Sequence, residues 1–177
     1  PTNFQIIASS PMLANVESML KMTGREYRLK EALSGLQGYD YIVMDTPPSL
    51  NILTINALTA SNFALIPAQA DIFSVQGITQ LGQTIDAVKR YTNKNLQVLG
   101  IILTRYSNRN ILSRDLQQVI EDTAKSIHTK TYTQNIREAI AIKEAQALRQ
   151  DIFSYDAKGN ATQDYGNLFQ EIWQEIQ

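Results

Sequence analysis

Short apolar runs alternate along this chain with longer stretches whose apolar residues recur every three or four positions. FQIIA (4–8), closed by Ser9, Ser10 and Pro11, predicts a strand and a turn. Met12, Leu13, Val16, Met19 and Leu20 predict a helix over 12–22 ending at Gly24. Leu29, Ala32, Leu33 and Leu36 share one face of a second helix over 25–36, with Gly35 and Gly38 at its end. YIVM (41–44) then predicts a strand buried on both faces. It stops at Asp45, Pro47 and Pro48, because proline lacks an N–H and has a fixed φ. A helix over 52–60 turns Leu53, Ala57 and Leu58 inward, and NFALIP (62–67) is another buried strand. Ser74 opens a long helix with the stripe Ile78, Leu81, Ile85 and Val88. LQVLGIILT (96–104) is a strand, followed by a loop at 105–110 and a helix carrying Leu112, Leu116, Val119, Ile120 and Ala124. Residues 128–133 predict a last strand, 136–149 a helix and 154–160 a loop. Tyr165, Leu168, Phe169, Ile172, Trp173 and Ile176 predict a terminal amphipathic helix.

No two strands are joined by a hairpin signal. Parallel pairing through right-handed helical crossovers follows. The predicted fold is α/β, a three-layer parallel sheet with helices on both faces, in one domain over 1–177. The 44% hydrophobic content supplies a core, and no apolar run approaches a membrane span. The absence of cysteine excludes disulfides, thiolate metal sites, iron–sulfur clusters and a cysteine nucleophile. It fits a reducing cytosol. Net charge is −1 but unevenly spread. Residues 89–149 carry 11 Lys/Arg against 5 Asp/Glu, and residues 150–177 carry 1 against 5. A local basic patch is what sequence-independent phosphate contact requires, although solvated helix faces produce the same count.

Asp45 is the residue on which function turns. Open α/β sheets place ligands at the carboxyl ends of their strands, and Asp45 ends one. On local sequence it has two readings: a cap for the following helix, or a Walker-B-type carboxylate that orients the water shell of Mg²⁺ at a nucleotide.

YDYIVMDTPPSL (39–50) resembles the Walker B strand and DxPPS turn of the ParA/Soj partition ATPases, a deviant-Walker branch of the P-loop NTPases that includes MinD. The resemblance continues through LTINALTA (53–60), IPAQ (66–69), Gly77, GIILT (100–104), Glu144, Ala145, Ile152, Tyr155, Asp156 and Tyr165. It implies a P-loop-like fold, ATP and Mg²⁺ as cofactors, ATP-dependent homodimerisation, non-specific DNA binding, a ParB-like partner and a cytoplasmic, nucleoid-associated location. Asp45 is then the catalytic and metal-site carboxylate, acting on Mg²⁺ through water. Gln134 and Asn135 fall where the family contacts the adenine ring, although the proline usual before that loop is replaced by Thr131-Tyr132-Thr133. Asn135 also reads as a helix cap. Arg109 matches an arginine the family uses on DNA, and Arg105, Lys89, Arg90, Lys94 and Arg114 extend a phosphate-binding surface. Asp71 reads as a turn residue or a neighbour of the nucleotide, and His128 as a strand-edge histidine.

The departure is the glycine-rich loop. No Gly-x-x-x-x-Gly-Lys-Ser/Thr occurs, and neither does the family's second aspartate, whose strand precedes the part matching 4–10. The expectation is the C-terminal portion of a ParA-like protein, missing the P-loop strand and helix. A natural P-loop-less chain is the alternative. Alone, such a chain should not bind ATP tightly or hydrolyse it, since the loop supplies the N–H groups and lysine that hold the phosphates. An unpaired edge at 41–45 should drive self-association. Two other functional readings remain: a non-catalytic interaction module of the same fold, and a MinD-like membrane ATPase. The tail NLFQEIWQEIQ, with Glu171 and Glu175 and no Lys or Arg, argues against the second.

Overall fold

The computed structural model describes residues 4–20, 22–107 and 111–177. Its centre is a parallel pair, β1 (Phe63–Ala68) and β2 (Gln97–Leu103), in register from Phe63 opposite Gln97 to Ala68 opposite Leu103, with an irregularity between Ala64 and Leu65. Helices α1 (Val16–Met19), α2 (Arg28–Leu33) and α3 (Ile52–Ala60) precede the pair, and α4 (Ile72–Tyr91) crosses between its strands. After β2 come α5 (Ile111–Ser126), α6 (Ile140–Ala147), α7 (Ile152–Tyr155) and α8 (Asn160–Ile176).

The two-residue alternation of a strand sorts β2 onto two cores. Ile101 and Leu103 pack with Ile66 and Ala68 of β1 against Leu58 of α3, Ile78, Ile85 and Val88 of α4, and Ile120 and Ala124 of α5. Ile102 points the other way, to Tyr132, Ile136 and Leu168 of α8. Helices therefore cover both faces of the parallel pair. Each fully buried aliphatic side chain contributes about 1.5–3 kcal/mol, so these two clusters are the main source of stability.

The local chemistry sets the boundaries. Asn51 caps α3, its side chain accepting from the Leu53 N–H at 3.0 Å. Asp71 caps α4 by accepting from the Ser74 N–H at 2.7 Å, so the long helix starts at Ile72, ahead of Ser74. Asp71 is thereby a helix cap. α5 and α6 end alike. His128 (φ 57) and Arg149 (φ 54) sit in left-handed backbone, while Thr129 N donates to Ala124 O and Gln150 N to Ala145 O, both at 2.9 Å. This is the reversal that stops a helix with a left-handed residue just past its end. His128 is accordingly a helix terminator and not a strand-edge residue.

Several expected elements take another form. Residues 4–8 and 41–44 form no strand. Val43 is 94% exposed and Ile7 83%. A strand exists only by exchanging hydrogen bonds with a neighbour, and among the described residues no ladder reaches either segment. They touch through side chains instead: the Tyr39 hydroxyl donates to Gln5 Oε1, and the Tyr41 ring lies 5.4 Å from that of Trp173 on α8. Residues 128–133 contribute one parallel bridge, Thr131 to Ile101. The first predicted helix is a 3₁₀ turn (Pro11–Asn15) plus α1, and the second is a 3₁₀ turn (Arg25–Tyr27) plus α2. The helix expected over 136–149 is confined to α6, because residues 131–137 stay extended along β2. α7 occupies the start of the loop expected at 154–160.

Candidate functional site

The carboxyl end of the parallel pair is where this fold collects polar chemistry. β1 runs into the Asp71 cap and β2 into Thr104, whose N–H donates to Ala68 O at 2.8 Å. Residues 131–137 follow the carboxyl half of β2. Tyr132 N donates to Ile101 O, Ile136 N to Leu103 O, and Tyr106 N to Ile136 O, at 2.9, 2.8 and 3.0 Å. This places Gln134 and Asn135 beside the end of β2.

Asp164 holds that segment. It is 4% exposed on α8. Its Oδ2 accepts from the Arg137 backbone N–H at 3.2 Å and from Arg137 Nε at 2.6 Å, and its Oδ1 from Arg137 Nη2 at 2.8 Å. Gln134 Nε2 donates to the same Oδ1 at 3.3 Å and to Asn135 O at 2.8 Å, while its Oε1 accepts from Asn167 Nδ2 at 3.3 Å. Burial pushes the Asp164 carboxyl up. The Arg137 hydrogen bonds, from side chain and backbone, outweigh burial and hold it below the ordinary carboxylate range. Sequence reasoning missed this pair. The signal was present: Ala161, Asp164, Leu168 and Ile172 fall on one helical stripe, so an acid sits among inward positions and needs a cation.

Two buried polar atoms of this segment lack a partner, the Tyr132 hydroxyl and Asn135 Oδ1. Asn135 Oδ1 is buried and accepts no hydrogen bond. Asn135 does not cap a helix, since α6 begins at Ile140 with Ala139 in the cap position. An acceptor left unsatisfied costs about 1–3 kcal/mol, so a hydrogen-bond donor reaching this loop would be stabilised. That chemistry fits the edge of a nucleotide base.

Asp45 lies in the irregular segment that leads to α3 and is exposed. It shares no hydrogen bond with Gln134 or Asn135, and the structure does not join the two halves of the predicted site. Among the described residues no group of three His, Cys, Asp or Glu side chains could hold a metal ion. A single open carboxylate still suits Mg²⁺, which keeps most of its waters and takes its other ligands from phosphate.

The predicted cationic surface is split. Arg105 (φ 50) follows β2 at the carboxyl end, where its Nη2 pairs with Glu138 Oε1 at 3.2 Å. Lys143, then Arg105, hold the Glu138 carboxyl below its ordinary range. Exposed Arg114 rides on α5 at the same end. Arg109 lies outside the described residues. Lys89 and Arg90 close α4 and Lys94 precedes β2, so all three sit at the amino end. Seven residues of β2 separate the two groups, roughly 20 Å at strand rise.

The protein-family profile described as an AAA domain matches residues 1–98. The chromosome partitioning protein ParA of Caulobacter vibrioides is 36% identical over 171 residues, covering 94% of this chain and 63% of that protein. The sporulation initiation inhibitor protein Soj of Bacillus subtilis is 37% identical over 172 residues, covering 96% of this chain and 67% of that protein. A solved structure from Mycobacterium smegmatis, described as cobyrinic acid a,c-diamide synthase with bound ADP and magnesium, is 36% identical at a TM-score of 0.67, covering 80% of this chain and 57% of that one. These relatives and the parallel, two-faced α/β arrangement define a P-loop NTPase-like fold. The chain belongs to the ParA/Soj family of partition ATPases. It spans about 63% of the length of the Caulobacter relative. Among the described residues no helix is long and apolar enough to cross a membrane.

Proposed function

We propose that this chain is the carboxyl-terminal portion of a partition ATPase that binds ATP with Mg²⁺, dimerises in that state, contacts DNA without sequence preference and answers to a ParB-like partner on the nucleoid in the cytoplasm. The observation that carries the reading is the polar corner at the end of β2, where Gln134 is fixed by Asp164 and Asn135 keeps a buried acceptor without a donor. Asp45 would hold Mg²⁺ through water, and the metal would neutralise charge on the transferred phosphoryl. Arg105 and Arg114 would meet phosphates of DNA at the carboxyl end, Arg109 would be a further phosphate contact, and Arg105 must exchange its Glu138 partner to do so.

Calorimetry on two proteins tests the reading. The full-length protein should bind ATP-Mg²⁺ at micromolar concentration, and Asp45→Ala should remove hydrolysis while leaving most binding. The 177-residue chain should bind ATP far more weakly and turn over none. Tight ATP binding by the chain alone refutes the assignment of the missing phosphate-holding half. Binding without hydrolysis by the full-length protein points to the non-catalytic interaction module.

A further inference from the structure

The amino end of the sheet carries a cationic depression of about 340 Å³. Four cations from three separate segments line it: Lys30 on α2, Lys89 and Arg90 at the end of α4, and Lys94 in the turn before β2. No aspartate or glutamate lines it. Among the described residues none of the four cations forms an ion pair, whereas Arg105, Lys125, Lys130, Arg137 and Lys143 all do. Lys89 and Arg90 are partly explained by their helix, since cations complement the negative end of the dipole. Lys30, in the last turn of the short α2, has the same local reason, whereas Lys94 lies in a turn and has none, and neither helix by itself accounts for the three segments meeting at one depression.

The frame beneath them is rigid. Asn93 Nδ2 donates to Leu58 O at 2.9 Å and Ser61 O at 2.6 Å, the Thr59 and Thr92 hydroxyls bond at 2.9 Å, and the Tyr27 hydroxyl donates to Tyr91 O at 3.2 Å. Assembling four like charges on fixed elements is unfavourable unless an anion meets them. Ammonium and guanidinium groups without carboxylate partners around a polar hollow, Arg90 lying 5.9 Å over the Tyr91 ring, are the chemistry of phosphodiester contact.

We infer that this depression is a second contact for a nucleic-acid backbone, at the end of the sheet opposite Arg105 and Arg114. The inference rests on the DNA-binding reading above. It assigns the chain two phosphate surfaces about one strand length apart, so Lys89 and Arg90 act independently of the carboxyl-end arginines.

Lysine acetylation read by mass spectrometry tests it, on the full-length protein with ATP and Mg²⁺. A random-sequence duplex at saturation should protect Lys30, Lys89 and Lys94, while Lys125 and Lys158 stay reactive. In parallel, Lys89→Ala/Arg90→Ala/Lys94→Ala should lower the slope of log K against log salt by about 2–3, so that roughly 40-fold less affinity is lost between about 50 and 200 mM salt. The same loss should appear in an Arg105→Ala/Arg114→Ala background. Duplex that binds without protecting these lysines overturns this site and leaves the DNA reading standing. Equal protection by poly-glutamate at matched charge assigns the depression to an acidic polypeptide, and protection by inorganic phosphate alone assigns it to a small anion. Either result overturns the nucleic-acid assignment. A protein that binds no duplex under any condition overturns both readings.

Discussion

Replacing Asp164 by alanine tests how the loop at the end of β2 is held. Three hydrogen bonds from Arg137 and one from Gln134 end on this carboxylate. The guanidinium side chain is 49% exposed, so water recovers much of its share once the acid is gone, and its two bonds together contribute about 1 kcal/mol. The Arg137 backbone N–H loses its acceptor and Gln134 Nε2 keeps only Asn135 O, which adds about 1–2 kcal/mol. The expected loss is about 2–3 kcal/mol. For a chain of this size that lowers Tm by about 5–10 °C, read by circular dichroism. Asp164→Asn keeps the shape and loses the charge, for about half the effect. The pH dependence has a definite sign. The folded carboxyl titrates below its unfolded value of about 3.9. Its stabilisation is therefore complete above that value and disappears as pH falls through the folded one. The wild-type advantage over Asp164→Asn should be flat from neutrality to about pH 5 and shrink below about pH 4. A Tm change under about 2 °C for Asp164→Ala, or an advantage that persists in acid, refutes the account.

Three further outcomes follow from the packing. Gly100→Ala should destabilise by about 1–3 kcal/mol in urea unfolding, because a Cβ would meet the Tyr132 ring at 2.8 Å and the Lys130 carbonyl at 3.1 Å, where the bridge to Thr131 begins. His128→Gly should raise stability by about 0.5–1 kcal/mol by removing a side chain from left-handed backbone, and a fall in Tm would contradict the terminator role. Tyr132→Phe should leave neutral-pH stability nearly unchanged, since the buried hydroxyl has no hydrogen-bond partner. Burial, then the charge of Glu175, push that phenol up to about 12. Wild-type stability should fall as pH rises above about 10, where the unfolded tyrosine ionises first, and Tyr132→Phe should flatten that fall on alkaline titration.

The apolar pattern was a sound guide wherever an element is buried by its neighbours in this chain. α3, β1 and β2 lie within a residue or two of their expected bounds, because Leu58, Ile66 and Ile101 all reach one core. It misleads at 4–8 and 41–44, where an apolar run forms no strand because, among the described residues, no ladder partner stands alongside. Asp45 was recognised from its prolines and its match to a known motif, while its geometry is not fixed by any neighbour. The end of α5 is illegible because its left-handed residue is histidine, not glycine, whereas α6 ends within two residues of its expected bound at the left-handed Arg149. The basic surface looked continuous in sequence because Lys89 and Arg105 are sixteen positions apart, a separation that β2 converts into opposite ends of the sheet. Arg137 and Asp164 are twenty-seven positions apart, and only the return of α8 joins them.

Trp173 is the single indole of the chain. Its ring stacks 5.5 Å from Phe169 and meets Tyr41 at 5.4 Å, four positions before Asp45. The protein thus carries an intrinsic optical probe wired to the segment of greatest functional interest. Any event that draws residues 39–45 into a ladder, whether metal, nucleotide or a neighbouring strand, must lift or tighten the tyrosine–tryptophan contact. It should therefore report itself as a change in emission intensity and quencher access, without a label or a substitution.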